Sequence, residues 1–133
     1  MSLASSFATY LQTLGIATIG QDLFISQAPS SNKVPDSIWW VIASGGEVER
    51  NLKTNSKMKS YLVEVFYRNR DYNTVYESLH ELEEDLNGAG CIQLSGFETV
   101  QIEASTFPVD DDLDSEDRKI GLLQAKITRY KEY

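Results

Sequence analysis

The residues with the most reactive side chains are few and lie far apart in the sequence. The only histidine is His80 and the only cysteine is Cys91. A nucleophilic thiol needs a base within hydrogen-bond reach, but His80 falls inside a predicted helix and Cys91 opens a predicted strand, where we expect a small buried residue. One thiol also cannot form an internal disulfide. We therefore expect no catalytic dyad, no enzyme activity and no cofactor.

An acidic run near the C-terminal end resembles a cation-binding loop, because hard cations take several carboxylates at alternate spacing. Its acidic members are Asp110, Asp111, Asp112, Asp114, Glu116 and Asp117. When the EF-hand pattern is laid from Asp112, the required glycine falls on Asp117 and the terminal glutamate falls on Leu123. The run therefore predicts a solvated loop and no metal is assigned. A loose metal site or a partner contact is the alternative.

A second charged segment has the opposite sign. Arg50, Lys53, Lys57 and Lys59 occur with no acidic residue among them, so the tip of a predicted hairpin is basic. Such a tip is usually only solvated, but a head-to-tail ring joins two different patches of identical chains. We hypothesise that the 50–59 loop contacts the 110–117 loop of a neighbouring subunit.

The composition predicts a globular protein and narrows the choice of partners. The chain has 133 residues, of which 41% are hydrophobic and 24% are charged, and these proportions are those of a folded domain. Its net charge of −8 has the wrong sign for a protein that grips phosphate backbone. The sequence contains no apolar stretch long enough to span a bilayer and no recognisable export signal. An acidic surface can still line a passage for DNA by repelling it.

Two helices are predicted by apolar residues at 3.6-residue spacing. The first covers residues 3–14, with Ser2 as its cap and Gly15 as its stop. The second covers residues 72–87, with Asp71 or Asn73 as the cap and Gly88 just past its end.

Four strands are predicted between and after these helices. The first covers residues 37–43 and ends in a turn at Gly45 and Gly46, and the second covers residues 61–67. The third runs from residue 91 to 107 with a bulge or bend at Gly96, and the fourth covers residues 119–130. We predict an α+β fold of order α-β-β-α-β-β, in which residues 1–133 form a single domain with a mixed or antiparallel four-stranded sheet packed on two helices.

Adjacent tryptophans in the first predicted strand indicate an interaction surface. Successive side chains on a strand point to opposite faces, so Trp39 and Trp40 cannot enter the same core. Two helices cover one face of such a sheet but hardly both. Either the segment around residues 23–25 and the proline-containing loop folds over the second face, or other subunits cover it.

The N-terminal third of the chain resembles a bacteriophage family, the minor capsid or tail terminator proteins of phages with long, non-contractile tails. The resemblance is carried by the first helix, Leu14 and Gly15, Gly20, Asp22, Leu23 and Phe24, a loop from Pro29 to Pro35 and Asp36, and the strand Ile38, Trp39, Trp40, Val41 and Ile42 that ends in Gly45 and Gly46. In element order the resemblance extends over essentially the whole chain.

The resemblance implies a role in the virion. Proteins of this family form a hexameric ring on the tail tube at the tail–head junction, stop polymerisation of the tube protein and present a surface to the neck or head-completion protein. The genome passes through a central hole, and the chain is made in the cytoplasm of the bacterial host. A head-completion protein of the neck and a soluble cytoplasmic binding module are the alternatives.

Overall fold

In the part of the chain that the structure describes, six strands form one mixed sheet, and two helices form a layer that packs against it. This computed structural model describes residues 2–26, 35–51, 56–108 and 118–132, and for residues 44–51, 56–59, 98–99 and 130–132 it describes the backbone alone. The elements are α1 Leu3–Thr13, β1 Leu23–Ile25, β2 Ile38–Asn51, β3 Ser56–Asn69, α2 Tyr72–Ala89, β4 Cys91–Leu94, β5 Glu98–Thr106 and β6 Lys119–Glu132.

Helix α1 begins and ends close to the predicted positions. The Ser2 hydroxyl oxygen accepts a hydrogen bond from the Ser5 N–H at 3.1 Å, which satisfies a free donor of the first turn. At the other end, Gly15 has a φ of 81°, and its N–H donates to the Gln12 carbonyl while the Ile16 N–H donates to Leu11. This pair of bonds is a Schellman motif, which favours glycine because of the positive φ.

Helix α2 continues to Ala89, two residues beyond the predicted end. Gly88 lies within the helix, and Gly90, with a φ of 68°, ends it. Asp71 is the N-cap residue, but its carboxylate accepts a hydrogen bond from the Thr74 hydroxyl at 2.7 Å and does not cap a backbone N–H. The helix buries a stripe of four apolar side chains, Val75, Leu79, Leu82 and Leu86.

The predicted α+β class is confirmed, but the predicted four strands and the predicted order are wrong. The described sheet has six strands in the order β1-β2-β3-β6-β5-β4. Strand β1 is parallel to β2, and all the other neighbours are antiparallel. The predicted strand over residues 91–107 is a hairpin, because Gly96 (φ 82°) and the hydrogen bond from the Phe97 N–H to the Leu94 carbonyl turn the chain between β4 and β5.

The β2–β3 hairpin is longer than predicted. The glycine pair Gly45 and Gly46 does not end β2, since the β2–β3 register shifts by one residue between Ser44 and Glu47 and pairing then resumes. The glycines therefore lie in a β-bulge, and the predicted turn is wrong. A pair of glycines interrupts the hydrophobic pattern of the sequence in the same way in a bulge and in a turn. The pattern therefore does not distinguish the two.

The sheet curls around the helices. Six strands spaced about 4.8 Å apart would span about 24 Å if the sheet were flat, yet α1 contacts β1 and β2 near one edge and β4 at the other. The Ser6 hydroxyl donates to the carbonyl of Ser95, just after β4, at 2.6 Å. Since α1 has 11 residues, it is about 16 Å long and about 10 Å across, less than the width of the flat sheet. The sheet therefore curves to bring both of its ends to the same helix.

The concave face holds the main core. It combines apolar residues of both helices with alternate residues of the strands, and Trp39, Val41, Val63, Val65, Leu123, Ala125 and Ile127 are all buried there. Gly121 lets α2 approach β6, because a methyl group built on it would collide with Leu79 Cδ1 and lie 2.7 Å from Val75 Cγ1. The missing side chain at this position therefore sets the distance between α2 and the sheet.

The opposite, convex face carries a row of apolar residues across four strands. Phe24, Trp40, Phe66 and Leu122 are successive partners in the sheet register. The rings of Trp40 and Phe66 stack at 5.2 Å, and Trp40 is only 9% exposed. One alternative predicted that residues 23–25 and the proline-containing loop cover this face. Residues 23–25 instead extend the sheet as β1, and residues 27–34 of the loop lie outside the described residues.

Candidate assembly surfaces

The two tryptophans predicted at an interface lie on opposite faces of β2, as strand geometry requires. Trp39 stacks on Tyr67 at 4.2 Å on the concave face, and Trp40 stacks on Phe66 on the convex face. Their exposed fractions are 7% and 9%. Because the single chain already buries both rings, they leave little surface for a second subunit, and their interface role stays a prediction.

The segment predicted as a basic hairpin tip belongs mostly to strands β2 and β3. Arg50 on β2 lies opposite Lys57 on β3, and Lys57 lies opposite Lys131 on β6. Lys59 lies opposite Arg129 in the same way. The far end of the hairpin therefore places basic residues at neighbouring register positions on three strands.

The rest of the predicted charge pairing falls outside the described residues. This applies to Lys53 and to Asp110, Asp111, Asp112, Asp114, Glu116 and Asp117. The contact between the 50–59 and 110–117 segments of neighbouring subunits stays a prediction.

Strand β5 has an edge that α2 closes. Beyond β4, the outward backbone groups of β5 are those of Ala104 and Thr106. The Asn87 side-chain amide donates to the Ala104 carbonyl at 3.0 Å and accepts from the Ala104 N–H at 2.7 Å. A Glu83 carboxylate oxygen accepts from the Thr106 N–H at 3.0 Å. The two side chains occupy hydrogen-bonding positions that a further strand would use.

Strand β2 has an edge without such a cover. The Trp39 N–H donates to the Asp22 carbonyl and the Val41 carbonyl accepts from the Ser26 N–H, so these outward groups are bound by the β1 segment. Beyond Val41, the described residues provide no strand on this side of β2, which continues to Asn51.

A cluster of arginines surrounds Asp36, just before β2. Its carboxylate is 2.7 Å from Arg70 Nε and 3.6 Å from Arg118 Nη1, and Arg68 donates to the backbone carbonyls of Asp36 and Pro35. The hydrogen bond from Arg70 holds the pKa of Asp36 below its ordinary value, with the charges of the three arginines adding to the effect. The cluster joins the start of β2 to the end of β3 and the start of β6.

The reactive residues do not come together. His80 lies on α2, with its ring nitrogens 3.4 Å from Glu83 and from Glu84, and its ring stacks on Tyr76. Cys91 opens β4 but is exposed, so its expected burial is wrong. Among the described residues, no group of three histidine, cysteine or acidic side chains is placed to hold a metal ion. Neither described helix has the length and hydropathy needed to cross a membrane.

Sequence reasoning missed Glu83 and Asn87 at the β5 edge. The available signal was the spacing of these residues. Glu83 follows the core residue Leu79 by four positions, and Asn87 follows Glu83 by four. Both residues therefore flank the buried stripe of α2. Which strand they reach depends on tertiary packing, and no local pattern contains that information.

The fold of this chain also occurs in a known structure, although no curated protein sequence matches the chain. A chain in the structure of the virion of a native gene transfer agent particle has a similar fold, with a TM-score of 0.54 and 14% identity over 96% of each chain. At that identity the likeness concerns the fold alone.

The family itself follows from the sequence match. The model of the bacteriophage tail terminator protein family matches residues 10–131, which is almost the entire chain. The resemblance noted in the N-terminal third is thereby confirmed and extended to β6. This protein belongs to the bacteriophage tail terminator family, and its role lies in the assembly of the phage tail and virion.

Proposed function

We propose that this chain ends the phage tail, with several copies forming a ring on top of the tail tube. The ring stops polymerisation of the tube protein and provides the joint to the neck or head-completion protein. The family match over residues 10–131 carries this proposal. The likeness to a chain of a gene transfer agent virion supports it, because that particle is itself an assembled virion.

The described residues suit a structural role. A ring needs a rigid subunit with free edges or patches, and the described part of this chain combines a continuous core with strand edges that no other strand covers. We propose that residues 1–133 act as one domain, that six copies close the ring, and that the net charge of −8 keeps the lumen from retaining DNA. On this account the protein is not an enzyme and resides at the tail–head junction of the virion.

Tube assembly in the test tube provides the experiment. Purified tail tube protein polymerises with and without this chain, and tube lengths are measured by electron microscopy. We expect shorter tubes with a ring at one end. The Glu81→Ala variant, altered on the exposed face of α2, is the matched control and acts like the unmodified chain.

Two results contradict the proposal. Tubes of unchanged length with no bound protein would exclude termination. Binding to the head-side connector without binding to the tube would instead indicate the head-completion role.

A further inference from the structure

Successive residues of β2 direct their backbone N–H and C=O groups to opposite sides of the strand. The pairing of β2 therefore shows which residues face its uncovered edge. Because Trp39 and Val41 bond to the β1 segment, the intervening and following even-numbered residues, up to Ser44, bond to β3. Before the bulge, even-numbered residues of β3 bond to even-numbered residues of β2. After the bulge between Ser44 and Glu47, Ser60 of β3 lies opposite Glu47, so the odd-numbered residues of β2 bond to β3. Beyond the bulge, Val48 and Arg50 therefore direct their N–H and C=O groups outward.

The other edges of the described sheet can be compared in the same way. At β1, the Leu23 N–H donates to Thr18 and its carbonyl accepts from Gly20, so its own chain occupies that side. At β5, Asn87 and Glu83 occupy the outward positions. These bonds occupy the outward groups of β5 and of the Leu23 end of β1.

Strand β4 is the remaining edge. Alternate residues of β5 direct their backbone groups toward β4 and toward β6. The β5 partners of Ile92 and Leu94 face β4, and the β5 residues between those partners face β6. Ile92 and Leu94 therefore bond to β5. Cys91 and Gln93 then direct their backbone groups away from the sheet, and both residues are exposed. In the described part of the chain, neither the outer side of β4 nor that of β2 beyond Val41 has a strand beside it.

We propose that a second copy of this chain covers the open edge of β2 with its own β4. The two open edges belong to opposite ends of one sheet, and a ring requires two different patches on each subunit. Pairing of β2 with β2 would instead close a two-fold dimer. This inference rests on the proposed ring and specifies which strands join its subunits.

Disulfide trapping tests the pairing, because the chain supplies one of the two thiols. Neighbouring strands bring opposite Cα atoms to about 4.5–5.5 Å, which is within the range that a disulfide spans. A cysteine is introduced at Val48 or Arg50, and the natural partner is the exposed Cys91 of the next copy. After oxidation, we expect most of the protein to run as a covalent ladder on a non-reducing gel.

Two controls define the result. The ladder disappears when Cys91→Ser is added to either variant, and Glu81→Cys, on the exposed face of α2, gives none. Circular dichroism checks that each variant is folded.

Each contrary result has a distinct meaning. A ring seen by native mass spectrometry without a ladder dependent on Cys91 overturns the strand pairing and leaves the proposed ring intact. A covalent dimer that forms when Cys91→Ser is present shows like edges joining and also overturns the pairing. A monomer without any ladder overturns the ring itself.

Discussion

Strand β5 and strand β2 both extend beyond their shorter outer neighbours, but only one of the two exposed lengths is covered. At β5, Asn87 and Glu83 reach from α2 and bind the backbone of Ala104 and Thr106. At β2, the described residues place nothing comparable beyond Val41. An uncovered edge is a template for another strand, so the difference indicates where this chain is protected from association and where it is open to it.

The largest expected effect comes from moving α2 away from β5. In Gly121→Ala, the added methyl group collides with Leu79 and Val75, and overpacking of this kind costs about 3 kcal/mol. We expect a lower Tm in thermal unfolding, together with self-association as the caps on β5 are lost. Gly88→Ala is the control, because nothing lies within 4 Å of a methyl group there. An unchanged Tm for Gly121→Ala would contradict the close contact.

Removing a cap alone is expected to have a smaller effect. Asn87→Ala deletes two hydrogen bonds to Ala104, worth together about 2 kcal/mol, and opens the β5 edge. Denaturant unfolding measures the stability, and light scattering measures the gain in association. Asn73→Ala, an exposed asparagine in the first turn of the same helix, should change neither. If Asn87→Ala stayed as stable and as monodisperse as the control, the edge would not depend on this cap.

Blocking the open edge is expected to leave the subunit stable but prevent assembly. Val48→Pro removes an outward N–H without breaking the ladder to β3, and edge positions tolerate proline. We expect a change in unfolding free energy below about 1 kcal/mol and a shift from ring to monomer in native mass spectrometry. Val48→Ala keeps the N–H and should still assemble. A ring formed by the proline variant would show that this edge is not used.

The smallest effect concerns pH and the arginine cluster that anchors the start of β2. The folded pKa of Asp36 lies below its ordinary value of 3.8, so its stabilising contribution is complete above that value. It is lost as the pH falls through the lower folded pKa. In acid titration of stability, Asp36→Asn should show a shallower decline below this pH than the unmodified chain, and high salt should reduce the difference. Parallel curves for the two proteins would exclude the contribution.

The sequence predicts the helices far better than the strands, for physical reasons. Ser2, Gly15 and the apolar stripe of α2 are local signals, and the structure follows them within about two residues. Strand β1 is three residues long and too short to show a period. The outer parts of β2 and β3 are polar, so they lack the alternation that marks a half-buried strand.

The candidate surface is harder to predict than the fold. The adjacent tryptophans correctly indicate a sheet with two apolar faces, but burial of both rings within one chain depends on neighbours distant in sequence. The edge caps depend on the curl of the sheet and on the approach of α2 at Gly121. These are properties of the assembled fold, and no local pattern in the sequence contains them.

Hydrogen exchange on the assembled and dissociated protein tests the contrast between the two edges most directly. We expect the outward amides of Val48 and Arg50 to exchange rapidly in the monomer and to become protected in the ring. The amides of Ala104 and Thr106, bound by α2, should be protected in both states. Gain of protection at Ala104 and Thr106 on assembly, with Val48 and Arg50 unchanged, would contradict the contrast between the two edges.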